Sequence, residues 1–370
     1  MIELPALVDH HCHGVLRGDL GFGTFETYLT ESDAPAAPGT TFFDTQAGFA
    51  VRRWCPPVLG LEPHASPARY LARRRELGAY EAGRLLLRAT GIGVYLVDTG
   101  LPGDLTPPGE LAAAGAAQAR EIVRLEQLAE QVADTSGTVD AFVANIAESV
   151  HTAASVGSAV GFKSVAAYRH GLALAPDPPA PGDVRRAAGD WLAARRPGGR
   201  LTDPVLLRHL LWTAVATGLP LQLHTGFGDP DLRLDHADPA LLTDFVRATA
   251  GLGTDLVLLH GYPYHRQAAY LAHVFPHVYA DVGLALSHVG ARAPDVLAEF
   301  LELAPFGKLL FSTDAYALPE LYVVGAEAFR DALRRLLGGW VKSGAWSLPD
   351  AERVGALIAA GNARRVYGLS

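Results

Sequence analysis

Short hydrophobic runs alternate with longer amphipathic stretches along most of the chain. Each run is rich in leucine or β-branched residues and ends in a polar residue or glycine, and most precede a stretch of helical periodicity. Strands that alternate with helices in this way are typical of βαβ units. We count eight runs, at 6–11, 92–98, 120–126, 160–164, 220–225, 255–260, 278–283 and 308–314.

Eight strand-helix units predict an α/β fold of the closed parallel kind, a (β/α)8 TIM barrel formed by one domain over residues 1–370. An open doubly wound sheet is the alternative. When such a sheet binds a nucleotide, a glycine-rich phosphate loop usually follows its first strand, whereas this chain has His11-Cys12-His13-Gly14 there. The helical patterns cover 67–90, 139–155, 204–217, 239–250, 266–274, 295–303 and 320–342.

Two segments lie outside the regular alternation. Residues 14–61 are rich in proline, glycine, threonine and aromatic residues and are longer than a barrel loop requires. We therefore expect an insertion over the mouth of the barrel, beside the active site. A further helical pattern over 349–366 follows the eighth unit and predicts an extra C-terminal helix that closes one end of the barrel.

Composition narrows the class of protein. With 49% hydrophobic and 19% charged residues, the chain has the balance of an ordinary globular protein rather than a disordered one. The formal net charge of −8 argues against nucleic-acid binding, and we expect the arginine clusters at 73–75 and 195–196 at solvent-exposed helix ends. No uncharged apolar stretch reaches the roughly 18 residues that cross a bilayer.

The cysteines and the first residues bear on location. The chain has 2 cysteines, Cys12 and Cys55, which form no CxxC pair, so a disulfide scaffold is not expected and a reducing compartment fits. No basic region precedes the first apolar residues, so a secretory signal is not expected either. These features predict a cytoplasmic protein.

The residues that end the strands form a chemical set. In a TIM barrel the active site lies at the carboxyl ends of the strands. The first run leads into His11 and His13, which share a face because side chains two apart on a strand do so. Imidazole nitrogens with a carboxylate are the ligands that Zn²⁺ and similar ions favour, so the set predicts a hydrolytic metal site. The other strand ends contribute Lys163, His224, His260 and Asp314.

Each of these residues taken alone has a structural interpretation. An HxH pair arises easily by chance among 14 histidines, and His224 or His260 alone would suit a hydrogen-bonded core position. Asp314 alone would suit a helix cap. The joint arrangement favours the metal site, because several strand ends supply ligand-type residues to one rim. His10 and Cys12 lie on the opposite face of the first strand and are expected to point away from the metal.

Four segments of the chain resemble the amidohydrolase superfamily. The closest likeness is to the amidohydrolase-related group, which includes aminocarboxymuconate-semialdehyde decarboxylase and the amidohydrolase-like domains associated with glutamine synthetases. The segments are LVDHHCH at 7–13, GFKSVAAYR at 161–169, LHTGFGD at 223–229 and FSTDAY at 311–316. The second and third are typical of the glutamine-synthetase-associated branch. The chain shows no glutamine synthetase domain, so a free-standing relative is expected.

The resemblance implies a metal centre. A divalent ion, zinc in the first place, would be held by His11, His13, His224 and Asp314, and would lower the pKa of a bound water toward about 7. Asp314 would take the proton of that water and deliver it to the leaving group, because a carboxylate beside the ion reaches both. His260 would polarise the substrate oxygen or carry a proton.

Lys163 has two roles open to it under the resemblance. In binuclear members of the superfamily a fourth-strand lysine is carbamylated by CO₂ and bridges two ions, and His260 would then be a ligand; we prefer this role. In mononuclear relatives the lysine would serve as a cation for a substrate carboxylate. A lysine that extends into solvent is less favoured, since Gly161, Phe162 and Val165 have a buried character and an unpaired buried ammonium is costly.

Residues just past the strand ends complete the expected site. Arg169 and Tyr168 would bind a substrate carboxylate, for which a guanidinium fork is well shaped, although a loop arginine is more often solvated. Further acidic residues would either orient ligands or serve the fold, namely Asp98, Asp229 and Asp281.

The leading interpretation is a metal-dependent hydrolase that cuts an amide or related C–N bond of a small carboxylated substrate. By analogy, a γ-glutamyl amide is the expected substrate, because the associated glutamine synthetases make γ-glutamyl bonds. A non-oxidative decarboxylase with nearly the same metal set is the second enzyme interpretation. A non-catalytic barrel that serves as an interaction module would need substituted ligands. We expect a small-molecule substrate, no nucleic acid, no membrane, and the homodimer that is usual for the family.

Overall fold

The computed structural model describes residues 2–157, 159–196 and 198–370. Its strands are β1 Leu7–Cys12, β2 Ile92–Asp98, β3 Gln118–Arg124, β4 Ala159–Ser164, β5 Leu221–Thr225, β6 Leu256–His260 and β7 Val278–Ala280. Each lies within a few residues of a predicted run. The alternation of strands with helices confirms the α/β prediction, while the complete eight-stranded barrel stays a prediction.

The helices fill the intervals between the strands. They are α1 Phe22–Glu26, α2 Gln46–Val58, α3 Pro67–Leu77, α4 Ala79–Ala89, α5 Pro108–Gly115, α6 Leu125–Thr135, α7 Val139–Ser155, α8 Ala166–Arg169, α9 Pro181–Ala194, α10 Pro204–Val215, α11 Thr243–Thr249, α12 His265–Val274, α13 Gly283–Val289, α14 Ala293–Phe300, α15 Pro319–Lys342, α16 Leu348–Ala356 and α17 Asn362–Val366. Short 3₁₀ turns lie at Thr27–Leu29, Phe42–Asp44, Leu234–Ala237, Pro239–Leu242, Gly290–Arg292 and Phe306–Lys308, and a π-helical turn at Leu357–Gly361. No helix among the described residues has the length and apolar character to span a membrane.

The chain divides into two compact units. Unit 1 comprises residues 2–120, 281–365 and 370, and unit 2 comprises the described part of 121–280 with 366–369. In unit 1, β1 and β2 pair in parallel, with Leu7 opposite Ile92. In unit 2, the strands from β3 to β7 pair in parallel in chain order.

The eighth predicted run is extended but is not a regular strand. It lies along β1 in unit 1, where the His10 N–H donates to the Phe311 carbonyl at 3.2 Å and the Asp314 N–H donates to the His11 carbonyl at 3.0 Å. Asp314 has φ +50° and Ala317 has φ +64°. A left-handed residue turns the backbone out of the extended path, so the ladder beside β1 is irregular.

Three predicted helices are divided in the structure, and of these the pattern over 239–250 forms the 3₁₀ turn Pro239–Leu242 followed by α11. The pattern over 67–90 forms α3 and α4, because Gly78 between them has φ +79°, a conformation that glycine adopts at little cost and that a helix cannot continue through. The pattern over 349–366 forms α16, a π-helical turn and α17.

The segment 14–61 packs as an ordered layer of unit 1. Phe25 and Phe43 stack with ring centroids 5.7 Å apart, and both belong to a buried cluster with Leu29 and with Val323 and Val324 of α15. The segment also contains α2, which the sequence pattern did not predict. The Thr45 hydroxyl caps α2 by accepting from the Gly48 N–H at 3.0 Å.

The arginine clusters do not all lie in solvent, contrary to prediction. Arg74 is 3% exposed and its Nε donates to Glu320 at 2.8 Å. Arg195 pairs with Asp134 at 2.8 Å and lies over the Trp191 ring. A run of arginines fixes only local charge, and the carboxylates that pair with Arg74 and Arg195 come from other parts of the chain.

Candidate metal centre

β1 delivers two histidines to one carboxylate in unit 1. His11 Nε2 lies 3.0 Å from Asp314 Oδ1, and His13 Nε2 lies 3.3 Å from the same oxygen. The imidazole rings are 5.1 Å apart at their centroids and nearly perpendicular. The structure thus brings together three of the predicted ligands. His11 and His13 lie side by side because residues two apart on a strand share a face.

The backbone around Asp314 is fastened to β1. Asp9 accepts from the Thr313 N–H at 2.9 Å through one carboxylate oxygen and from the Thr313 hydroxyl at 2.6 Å through the other. Burial raises the pKa of Asp9 to about 8, against the opposing effect of these hydrogen bonds. Asp9 therefore holds Thr313, the residue just before Asp314. The backbone of Asp314 itself is left-handed.

A second contact orients the His13 ring. Nδ1 of His13 lies 2.9 Å from the backbone carbonyl of Asp98, the last residue of β2. A carbonyl only accepts, so Nδ1 donates this hydrogen bond and Nε2 is the ring nitrogen that faces Asp314. Two buried imidazoles and a carboxylate oxygen held in this way fit a divalent cation.

Asp98 joins this group more closely than the sequence indicated. The ligating atoms of His11, His13 and Asp98 all lie within 4.8 Å of one another, and Asp98 is 1% exposed. Its Oδ1 also accepts from the Gly100 N–H at 2.8 Å. The sequence indicates either an orienting or a structural role for Asp98, although its position at the end of the second strand is the same signal that identifies the other ligands.

His10 faces a different carboxylate, on the opposite side of β1 as predicted. Its Nε2 lies 2.6 Å from Asp281 Oδ2, which also accepts from the Ser312 hydroxyl at 2.7 Å. Asp281 Oδ1 accepts from the Gly283 N–H at 3.1 Å. His10 and Asp281 are both fully buried, so this is a closed structural network.

In unit 2, the ends of β5 and β6 bring two histidines together. The rings of His224 and His260 are 4.8 Å apart, and the ring of Tyr168 lies 4.6 Å from that of His224. Thr225 pairs with His260 in register, and His260 has φ +69° as the chain leaves β6. Three residues from separate predicted segments thus form one cluster.

Lys163 is buried at the end of β4. It is 2% exposed and lies in register with Gln222, so Lys163 and His224, two residues beyond Gln222, share a face of this sheet. The neighbouring Glu126 carboxylate accepts from the Ser164 hydroxyl at 2.6 Å and the Val165 N–H at 3.0 Å, and burial raises its pKa. The solvent-exposed alternative for Lys163 is therefore wrong.

Two further residues have partners within the protein. Arg169 is not solvated: its guanidinium lies 3.5 Å from Glu130, and burial lowers its pKa. Glu130 also accepts from the Leu201 N–H at 2.8 Å. Asp229 accepts from the Asp231 N–H at 3.0 Å and so caps its own turn. A substrate carboxylate would have to compete with Glu130 for Arg169.

Parallel α/β units with histidines and carboxylates gathered at strand ends define a metal-dependent α/β enzyme. The family model described as amidohydrolase matches residues 129–369, and the chain belongs to the amidohydrolase family. This confirms the resemblance seen in the sequence. A divalent metal is the cofactor that this family implies.

The similar proteins agree with this assignment. Protein fluG of Emericella nidulans is 36% identical over 244 residues, covering 62% of this chain, and the chain spans 28% of the length of that curated relative. A protein assigned as a metal-dependent hydrolase from Lactobacillus casei ATCC 334 is 28% identical, with a TM-score of 0.87 over 99% of this chain and 96% of its own. Glucuronate isomerase from Caulobacter crescentus shares the fold, with a TM-score of 0.66 at 16% identity over 100% of this chain and 92% of its own.

Proposed function

We propose that the protein is a zinc-dependent hydrolase that cuts an amide or related C–N bond of a small carboxylated substrate, with γ-glutamyl amides as the first class to test. The observation that carries the proposal is the approach of His11 and His13 to a single Asp314 oxygen, at 3.0 and 3.3 Å. This donor set, with both imidazoles buried, suits a divalent cation.

The ligands of the proposed centre are those that the sequence predicts. On this proposal His11, His13, His224 and Asp314 would hold the first ion, and a carbamylated Lys163 with His260 would support a second. A divalent cation in this position supplies a Lewis acid and lowers the pKa of a water. The burial of Lys163 excludes a solvated ammonium, which fits the bridging role and equally fits a cation for a substrate carboxylate.

Asp314 is the proton carrier of the proposed reaction. Its carboxylate accepts the proton of the attacking water as the water oxygen bonds to the acyl carbon. It then delivers that proton to the leaving nitrogen as the C–N bond breaks. His260 polarises the acyl oxygen, and Tyr168, with Arg169 where the substrate displaces Glu130, contacts the substrate carboxylate. We place the enzyme in the cytoplasm.

Elemental analysis of the purified protein, with and without added bicarbonate, tests the metal centre. About two equivalents of zinc per chain support the carbamate bridge, and one supports a mononuclear centre. His11→Ala and His13→Ala should each lose metal, whereas His151→Ala, an exposed histidine of α7, should keep it. Full metal content in both site variants would contradict the proposal.

A substrate panel tests the reaction. Zinc-loaded protein is incubated with γ-glutamyl amides and with other small carboxylated amides, and the released amine is measured. Carbon dioxide without amine, from a matched carboxylate panel, would identify the decarboxylase instead. His224→Ala should abolish release of amine together with the bound metal.

A further inference from the structure

We propose that the first turn of α15 positions His13 for metal binding: Tyr322 holds the His13 peptide, and Glu320, held in turn by Arg74 and Tyr70, fixes the turn that carries Tyr322. All these residues belong to unit 1. The proposal rests on the proposed function only in taking His13 as a metal ligand.

Tyr322 contacts the ligand strand directly. Its hydroxyl donates a short hydrogen bond to the backbone carbonyl of His13, and its side chain is fully buried. A backbone carbonyl can only accept, so the Tyr322 hydroxyl is the donor of this bond. A buried hydroxyl bonded to a backbone carbonyl fixes that peptide with little freedom to rotate.

His13 depends on such contacts because it lies one residue beyond β1. Its N–H donates to the Ala315 carbonyl at 2.9 Å, and its Nδ1 donates to the Asp98 carbonyl at 2.9 Å. Tyr322 provides the third constraint, on the carbonyl. Together the contacts leave Nε2 as the ring atom that faces Asp314, which is the atom a metal would use.

The turn that carries Tyr322 has no local cap. The residue before α15, Leu318, makes no side-chain hydrogen bond to the helix end. Pro319 at its start has no N–H, and the Leu321 N–H donates to the Leu318 carbonyl at 3.1 Å, so only the backbone holds this turn locally. Side-chain support for the turn comes from elsewhere in unit 1.

Glu320 supplies that anchor, two residues before Tyr322. Its buried Oε1 accepts from Arg74 Nε at 2.8 Å and from the Tyr70 hydroxyl at 2.9 Å, both on α3. Arg74 also lies 3.8 Å from Asp19 and over the Phe25 ring at 5.9 Å, so the segment 14–61 meets the same anchor. A chain of contacts thus runs from this segment through Glu320 and Tyr322 to His13.

Tyr322→Phe, compared with Tyr95→Phe, is the first test. The two buried rings contact each other at 5.6 Å, but the Tyr95 hydroxyl has no hydrogen-bond partner among the described residues. Zinc affinity is measured on metal-free protein by competition with a chelator. We expect Tyr322→Phe to weaken zinc binding by about 10- to 100-fold, the range for groups that orient metal ligands, and Tyr95→Phe to leave it near that of the natural protein.

Glu320→Gln tests the anchor, with Asp331→Asn as its control. Asp331 also joins α15 to the segment 14–61, through Arg53 at 3.4 Å, but both side chains of this pair are partly exposed. We expect weaker zinc binding in Glu320→Gln and unchanged binding in Asp331→Asn. Because Glu320 acts through Tyr322, the double variant Glu320→Gln, Tyr322→Phe should lose less affinity than the product of the two single losses.

Zinc affinity separates positioning from simple stabilisation. A purely structural role lowers the melting temperature of Tyr322→Phe but leaves the zinc affinity of the folded protein unchanged, and that result would overturn the inference. If Tyr322→Phe does not fold, Glu320→Gln decides the question in the same assay. Zinc binding by His13→Ala equal to that of the natural protein would instead refute the proposed function.

Discussion

The two faces of β1 carry the same residue types, but the residues have different roles on each face. On one face His11 and His13 approach Asp314, and on the other His10 contacts Asp281. Both arrangements pair imidazole with carboxylate in unit 1, and each carboxylate follows a strand or extended run. Proximity of histidine and aspartate therefore does not distinguish a metal site from a structural network.

Donor supply and solvent access make the distinction. Asp281 is 0% exposed, and its two oxygens accept from His10, the Ser312 hydroxyl and the Gly283 N–H. Asp314 is 13% exposed, and a single oxygen of it faces two imidazole nitrogens. The first carboxylate has separate donors on its two oxygens, whereas one oxygen of the second lies close to two imidazole nitrogens and its side chain is partly open to solvent. Two imidazoles around one accessible carboxylate oxygen is the arrangement that suits a divalent cation.

Asp314→Asn should have the largest effect. It tests the face of β1 on which His11 and His13 lie close to Asp314. Turnover should fall by about 10²- to 10⁴-fold, the contribution of a positioned acid or base, with part of the metal retained. Asparagine tolerates the left-handed backbone at φ +50°, so the fold should persist. Steady-state kinetics with metal analysis and circular dichroism check this. Turnover equal to that of the natural protein would mean that Asp314 does not carry the proton.

The sequence predicted the strands well, because buried parallel strands are continuous apolar runs between polar residues. The predicted run 92–98 matches β2 to the residue. The eighth run departs from a regular strand at both ends, because Lys308 lies in a 3₁₀ turn and Asp314 adopts positive φ, which no hydrophobic pattern records. Among the helices that the pattern missed, α2 has Pro56 and Pro57 in its last turn, residues that normally signal a break rather than a helix.

The candidate site was predictable where the alternation of side chains along a strand decides which residues share a face. His11 and His13 follow from alternation along β1, and the opposite orientation of His10 follows from the same rule. The partners did not follow, since Asp281 is 271 positions from His10 and Tyr322 is 309 positions from His13. Glu130, the partner of Arg169, was likewise invisible, because which carboxylate reaches a guanidinium depends on packing between elements.

Asp281→Ala removes the partner of His10 on the other face of β1, so it should lower the stability of the protein. It leaves the His10 ring, the Ser312 hydroxyl and the Gly283 N–H without their acceptor, so the free energy of unfolding should fall by about 3 to 5 kcal/mol. Urea denaturation measures this. Asp183→Ala, which removes an exposed partner of Arg186, should change stability by less than about 0.5 kcal/mol.

Asp281→Ala also tests whether the two faces of β1 have separate functions. The folded fraction of Asp281→Ala at low temperature should bind zinc with the affinity of the natural protein. Loss of zinc without loss of stability would show that the two faces of β1 are coupled and would break the distinction drawn between them.

Cys12→Ala should have the smallest effect, because Cys12 lies between the two histidines but on the face of His10. Its thiol is fully buried, donates to the Leu96 carbonyl at 3.5 Å, and has a pKa well above the usual value because of burial. We expect the free energy of unfolding to fall by about 1 kcal/mol and the zinc content to stay unchanged. Cys55 is buried as well, so the folded natural protein should release no thionitrobenzoate from Ellman's reagent, whereas the unfolded chain should react at both thiols. Rapid reaction of Cys12 in the folded protein, or loss of zinc from Cys12→Ala, would place this residue on the metal side of the strand.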